Sequence, residues 1–169
     1  MTSLRRFRFL HHLALDQGSV RRAFPQTSLA RIEAAIGDGE RLHRGQVRFA
    51  VEPALPLARV LRGVSPRDRA LEVFGDLRIW DTEENCGVLV YLLLADRDVE
   101  IVADRGIHGH VGNAEWASVC QRMEEAFRAA RFGEGVETGI AEINALLGRH
   151  YPRACRAADN ELSDRPVVL

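Results

Sequence analysis

The sequence predicts an α/β fold with a small mixed sheet and extra helices at its N-terminal end. Three observations carry this. Gly87 to Leu94 is a nearly continuous apolar run, the mark of a strand covered on both faces. Asp98 to Ala103 alternates apolar and polar residues just beyond a tight turn at Asp96 and Arg97, which makes the two segments an antiparallel hairpin. Gln46 to Val51 alternates in the same way and is joined to the central run through a helix, a crossover that makes those two strands parallel.

The elements follow in order. Ser3 to Asp16 reads as a helix, with Leu4, Phe7, Leu10, His11 and Ala14 recurring at steps of three and four on the face expected to be buried. Arg5, Arg8 and His12 fall nearer the other face. A basic amphipathic helix of this kind either packs on its own domain or lies on a membrane. Thr27 or Ser28 caps a second helix through about Ile36, with Leu29, Ile32, Ala35 and Ile36 inward. The first strand ends at Pro53 and Pro56. Ser65-Pro66 opens a helix, serine at the cap and proline at the first position, with Ala70, Leu71, Phe74 and Leu77 forming a stripe that continues to about Trp80. After the hairpin, Asn113 caps a helix to about Arg131, and Glu134 to Arg149 forms another, stopped by Pro152. Residues 153–169 read as a loose polar tail. The expected organisation is an N-terminal helical segment over 1–45 packed on an α/β domain over 46–152, one structural domain of 169 residues in all.

Composition excludes several chemistries. All 23 basic residues are arginine, so P-loop, Schiff-base and kinase-type lysines are ruled out. Charge is unevenly spread: residues 1–70 carry 13 arginines against 6 acids, and residues 71–169 carry 10 against 18. Two readings stand. Either the halves complement each other within one domain, or the basic half faces an anionic partner. No RNP, KH or zinc-finger pattern supports nucleic acid. Cys86, Cys120 and Cys155 are widely spaced, with no CxxC, as suits a reducing cytoplasm. The most apolar run is far below the roughly 20 residues of a membrane span, and the basic N-terminal stretch is broken by His11 and His12 before it becomes a leader, so a cytoplasmic location is expected.

Topology locates a candidate site. In the hairpin, the end of the third strand lies beside the start of the second, which brings Asp104 toward Asp81, Glu83 and Asn85. The parallel first strand begins at the same edge, so Glu40 and His43 join the neighbourhood. Oxygen donors from three segments are the chemistry that Ca²⁺ and Mg²⁺ select. The competing reading makes Asp81 and Thr82 a turn and Asp104 a helix cap. An EF-hand is excluded, since Cys86 replaces its glycine and Leu92 its closing glutamate. His108-x-His110 reads as a surface turn, the other reading being a pair on one strand face that chelates zinc.

Between Arg69 and Pro152 the sequence resembles the TPM domain family, the thylakoid photosystem II repair proteins and their bacterial relatives. The residues that carry the resemblance are Arg69-Ala70, Phe74, Asp81-Thr82, Asn85 through Tyr91, Val99 through Ile107, Trp116, Phe132, Gly135, Ile140 and His150-Tyr151-Pro152. Asn85-Cys86-Gly87 stands where the family usually has Asn-Asn-Gly. The resemblance implies a three-layer α/β/α sandwich, divalent-cation binding and acid phosphatase activity. On that reading Asp81 and Asp104 are ligands, Arg105 clamps an anion, and His108 or His43 donates a proton. The alternative is a non-catalytic module that docks a protein partner or an anionic membrane surface.

Overall fold

The structure, a computed structural model, describes residues 3–153 and 160–169, the side chains of residues 3–7 excepted. Cys155 and the side chains of Leu4, Arg5 and Phe7 lie outside the described residues. In chain order the elements are α1 (Ser3–Ala14), α2 (Gln17–Ala23), α3 (Gln26–Glu40), β1 (Gln46–Glu52), α4 (Leu57–Leu61), α5 (Pro66–Asp76), β2 (Gly87–Leu93), β3 (Asp98–Ala103), α6 (Arg105–Arg128), α7 (Phe132–His150) and β4 (Val167–Val168).

The sheet runs β3-β2-β1-β4. β1 and β2 are parallel, from Gln46 opposite Gly87 to Glu52 opposite Leu93, and β3 returns antiparallel with Val88 opposite Ala103. Every residue of β2 is buried, as its unbroken apolar run requires. On one face Val47, Phe49, Val88 and Val90 pack with Ile32 of α3, Phe127 of α6 and Ile140 of α7. On the other, Ala50, Leu89 and Tyr91 pack with Leu55 and with Ala70 and Val73 of α5. This is the three-layer α/β/α sandwich, with additional helices at the N-terminal end.

Local chemistry sets the element boundaries. Ser65 accepts the Asp68 amide while Asp68 accepts the Ser65 amide, and Pro66 follows, so α5 starts where expected. It ends at Asp76, short of Trp80, because Arg78 turns left-handed at φ 53°. Helix α6 begins at Arg105, eight residues before the expected Asn113, and bends at Gly112, where φ 77° needs glycine. Asn113 therefore opens the second leg of a kinked helix. The short α2, α4 and β4 were not foreseen.

Two expectations are corrected. Over residues 8–14 of α1 the side chains turned inward are polar. His12 is 5% exposed and Leu10 is 55% exposed. Arg8 and His12 turn in to bond the carboxylate of Asp96, at 3.0 and 3.1 Å, on the β2–β3 turn. His12 also accepts the amide of Leu55 at 2.9 Å. These satisfied polar groups outweigh burial of one more leucine. The C-terminal stretch, expected to be loose, returns to the sheet: β4 pairs in parallel with β1, and Gln46 accepts the amide of Leu162.

Candidate functional site

The edge formed by the starts of β1 and β2 and the end of β3 gathers several of the expected residues. Asp104 directly follows β3, and its amide donates to Gly87 O at 2.9 Å. It caps α6, one carboxylate oxygen accepting the Arg105 amide at 2.7 Å. The other oxygen, Oδ2, is buried with no partner among the described residues. Asn85 lies alongside in the left-handed region, φ 52°. Its carbonyl accepts the Gly106 amide at 3.1 Å, and its side chain accepts Arg105 Nε at 3.2 Å. A Cβ on Gly106 would stand 2.5 Å from Asn85 O and 2.8 Å from Glu84 O, so only glycine lets the first turn of α6 approach these carbonyls.

The remaining candidates are placed otherwise. Asp81 is exposed and pairs with Arg78 at 3.2 Å. Glu83 is exposed, and its amide donates to the Glu161 carboxylate at 2.8 Å. Glu40 sits at the same end of the sheet but turns inward, accepting the Val47 amide at 2.7 Å, and burial pushes its carboxyl up to about 8. His43 is 1% exposed, with its ring nitrogens bonded to Gly45 O and Asn144 Oδ1, and burial lowers its pKa. That network holds α3, β1 and α7 together. His108 and His110 lie on the helical first leg of α6, where residues two apart point to different sides, so the strand-type pair does not form. Among the described residues no three His, Cys, Asp or Glu side chains converge as metal ligands.

Sequence reasoning missed what surrounds Asp104 and Asn85. The Arg44 amide donates to Tyr151 O at 3.0 Å, its guanidinium pairs with Glu84, and it lies 5.9 Å over the Tyr151 ring. His110 stacks on His150 at 5.2 Å and meets the edge of Tyr151. An isolated bridge between His43 and Pro152 holds the end of α7 at this edge. The only signal in sequence was the run His150-Tyr151-Pro152, which reads equally as a helix stop. Cys86 is buried beneath, its thiol pushed up to about 11 by burial, so it stays protonated and inert.

A model of the TPM domain family matches residues 21–146. That span begins in α2, ahead of residue 46 where the α/β domain was expected to start. No curated protein matches the chain. Among solved structures, the fold resembles the NMR structure of BA42 protein from the psychrophilic bacterium Bizionia argentinensis, with TM-score 0.75, 24% identity, and coverage of 86% of this chain and 94% of that one. It also resembles the N-terminal domain of a protein from P. gingivalis, with TM-score 0.55, 18% identity, and coverage of 74% and 76%.

Proposed function

The chain belongs to the TPM domain family, and from that premise we propose that it binds a hard divalent cation, Ca²⁺ or Mg²⁺, where the start of β2 meets the start of α6. One observation carries the reading: Asp104 Oδ2 is buried with no partner among the described residues, and Gly106, two residues on, packs closely under the carbonyls of Glu84 and Asn85. A buried carboxylate oxygen without a donor is costly, and a cation relieves that cost. Carboxylate and carbonyl oxygens are the donors such ions take. The donor set is small, and Arg44 and Arg105 stand next to it. Those features favour an ion that keeps several waters, as Mg²⁺ does. Asp104 and the Asn85 side chain would hold it. Asp81 pairs with Arg78 and Glu40 turns inward to the Val47 amide, while the Glu83 side chain is exposed.

A phosphatase-like activity is the hydrolytic extension of this reading. A bound cation supplies polarisation of a phosphoryl oxygen. Arg105 bonds Asn85 through Nε, leaving its outer guanidinium nitrogens to orient an anion, and His108 follows within one helical turn. The alternative, docking without catalysis, is supported by the exposed Leu10 and Leu13 of α1. Because Arg8 is committed to Asp96, that face suits an apolar protein partner better than an anionic membrane.

The test is a thermal melt with Mg²⁺, Ca²⁺ or Mn²⁺, read together with backbone amide shifts. At an ion concentration a hundredfold above Kd, the wild-type melt rises by roughly 5–10 °C. Asp104→Asn abolishes the rise, and Asp81→Asn leaves it intact. No melting shift and no amide perturbation at Asn85 and Arg105 with any of the three ions would overturn the cation reading. With the ion bound, loss of p-nitrophenyl phosphate turnover in Arg105→Gln supports hydrolysis, and absence of turnover in the wild type removes it.

A further inference from the structure

A cleft lies at the opposite end of the sheet, just past the carboxyl end of β2. It encloses about 510 Å³, within the range of small-molecule sites. Open α/β sheets place ligands outside the carboxyl ends of their strands. Three elements each supply one basic side chain to its wall: His11 from α1, Arg22 from α2 and Arg97 from the β2–β3 turn. Leu15, Leu94 and Phe132 supply its apolar surface. No acidic side chain lines it among the described residues.

The nearby acids are already engaged. Asp96 is held by Arg8 and His12, and although burial opposes its charge, the bonds from those two residues keep its pKa low. Asp16 caps α2 through Ser19. Arg22 bonds Ser19 Oγ at 2.8 Å, and among the described residues Arg97 and His11 make no ion pair. The backbone adds an independent observation. Arg97 and Ala130, both lining the cleft, adopt the left-handed region, at φ 51° and 58°. A hairpin turn of this kind ordinarily places glycine or asparagine there. An arginine that accepts the strain and gains no ion pair among the described residues leaves its guanidinium available to a ligand.

We propose that this cleft binds a small organic anion, a carboxylate on a short apolar chain. The carboxylate meets Arg97 and Arg22, and the chain lies against Leu15, Leu94 and Phe132. Arginine's planar fork suits a carboxylate. The site stands apart from Asp104 and does not depend on the cation reading.

Octanoate is the probe, followed by amide shifts and by calorimetry. Octanol tests apolar burial alone, and inorganic phosphate tests charge alone. Octanoate is expected to bind at least about tenfold more tightly than either, shifting the amides of Leu15, Ala95 and Phe132. Arg97→Gln, at an exposed turn, weakens octanoate binding about tenfold, and Arg62→Gln, an exposed arginine elsewhere, leaves it unchanged. Ala23→Phe, which fills the cleft, abolishes binding in a chain that still melts cooperatively. Equal affinity for octanoate and octanol, equal affinity for phosphate, or an unchanged Kd in Arg97→Gln would each overturn the proposal.

Discussion

Glu40 accepts the Val47 amide on one carboxylate oxygen, and its other oxygen is buried with no hydrogen-bond partner of good geometry among the described residues. Burial pushes its carboxyl from 4.5 up to about 8, with Asp164 adding repulsion. Between those values the folded chain retains a proton that the unfolded chain has released, so stability falls as pH rises. The contribution is complete below about pH 4.5 and is lost as pH climbs through about 8. Glu40→Gln keeps the acceptor for Val47 and removes the titration. Its melt is expected to match wild type near pH 4.5 and to exceed it by roughly 10 °C at pH 8. Parallel pH-dependent melts of the two proteins would refute this assignment. Glu40 and His43 also mark the limit of reading a site by spacing. Their position at the start of β1 was legible from chain order. Their direction depends on partners outside that short stretch, such as Asn144 of α7, which bonds His43 from across the chain. Asp104 and Asn85 were legible as neighbours because a hairpin register is a local constraint.

Elements with a strong period were read correctly in kind and misread where a distant group decided. The helical spacing of α1 was sound, and its buried face was inverted by one carboxylate, Asp96, on a turn more than eighty residues away. The start of α6 was hidden because Gly106, Gly109 and Gly112 depress helix propensity across its first leg, and Asp104 supplies the cap that offsets them. β4 gave no sequence signal, because two residues cannot show a period. Its pairing nevertheless covers the outer edge of β1. The Leu169 amide donates to Val51 O at 3.0 Å, and Val167 and Leu169 pack on the cluster that holds Leu55 and Tyr91. A chain ending at Pro166 is expected to melt a few degrees lower, consistent with loss of about 1–2 kcal/mol of apolar burial. It should also show faster amide exchange in β1 than in β2. Unchanged melting and exchange would mean that the edge strand adds nothing to the sheet.

Across the whole molecule, part of the uneven charge is matched internally. Arg8 pairs with Asp96, Arg31 with Glu137, Arg44 with Glu84 and Arg67 with Glu100, each joining the basic first half to the acidic second. Most of these pairs are partly exposed and individually weak, so they act on orientation more than on stability. The parallel β1 and β2 give the sheet two chemically different ends. Asn85, Asp104 and Arg105 stand at the amino end of β2, and Leu94, Ala95 and Arg97 follow its carboxyl end. Seven strand residues separate them by roughly 20 Å. No charged chain of contacts runs along β2, whose side chains are buried and mostly apolar. Sites that far apart with no shared partner behave independently. Saturating Mg²⁺ is therefore expected to leave the octanoate Kd unchanged within about twofold, and Arg97→Gln to leave the Mg²⁺ melting shift unchanged. Calorimetric titration of octanoate with and without Mg²⁺ measures the coupling directly. A tenfold change in either direction would require the rigid β2 layer to have two arrangements, and would join the two ends of the sheet into one allosteric unit.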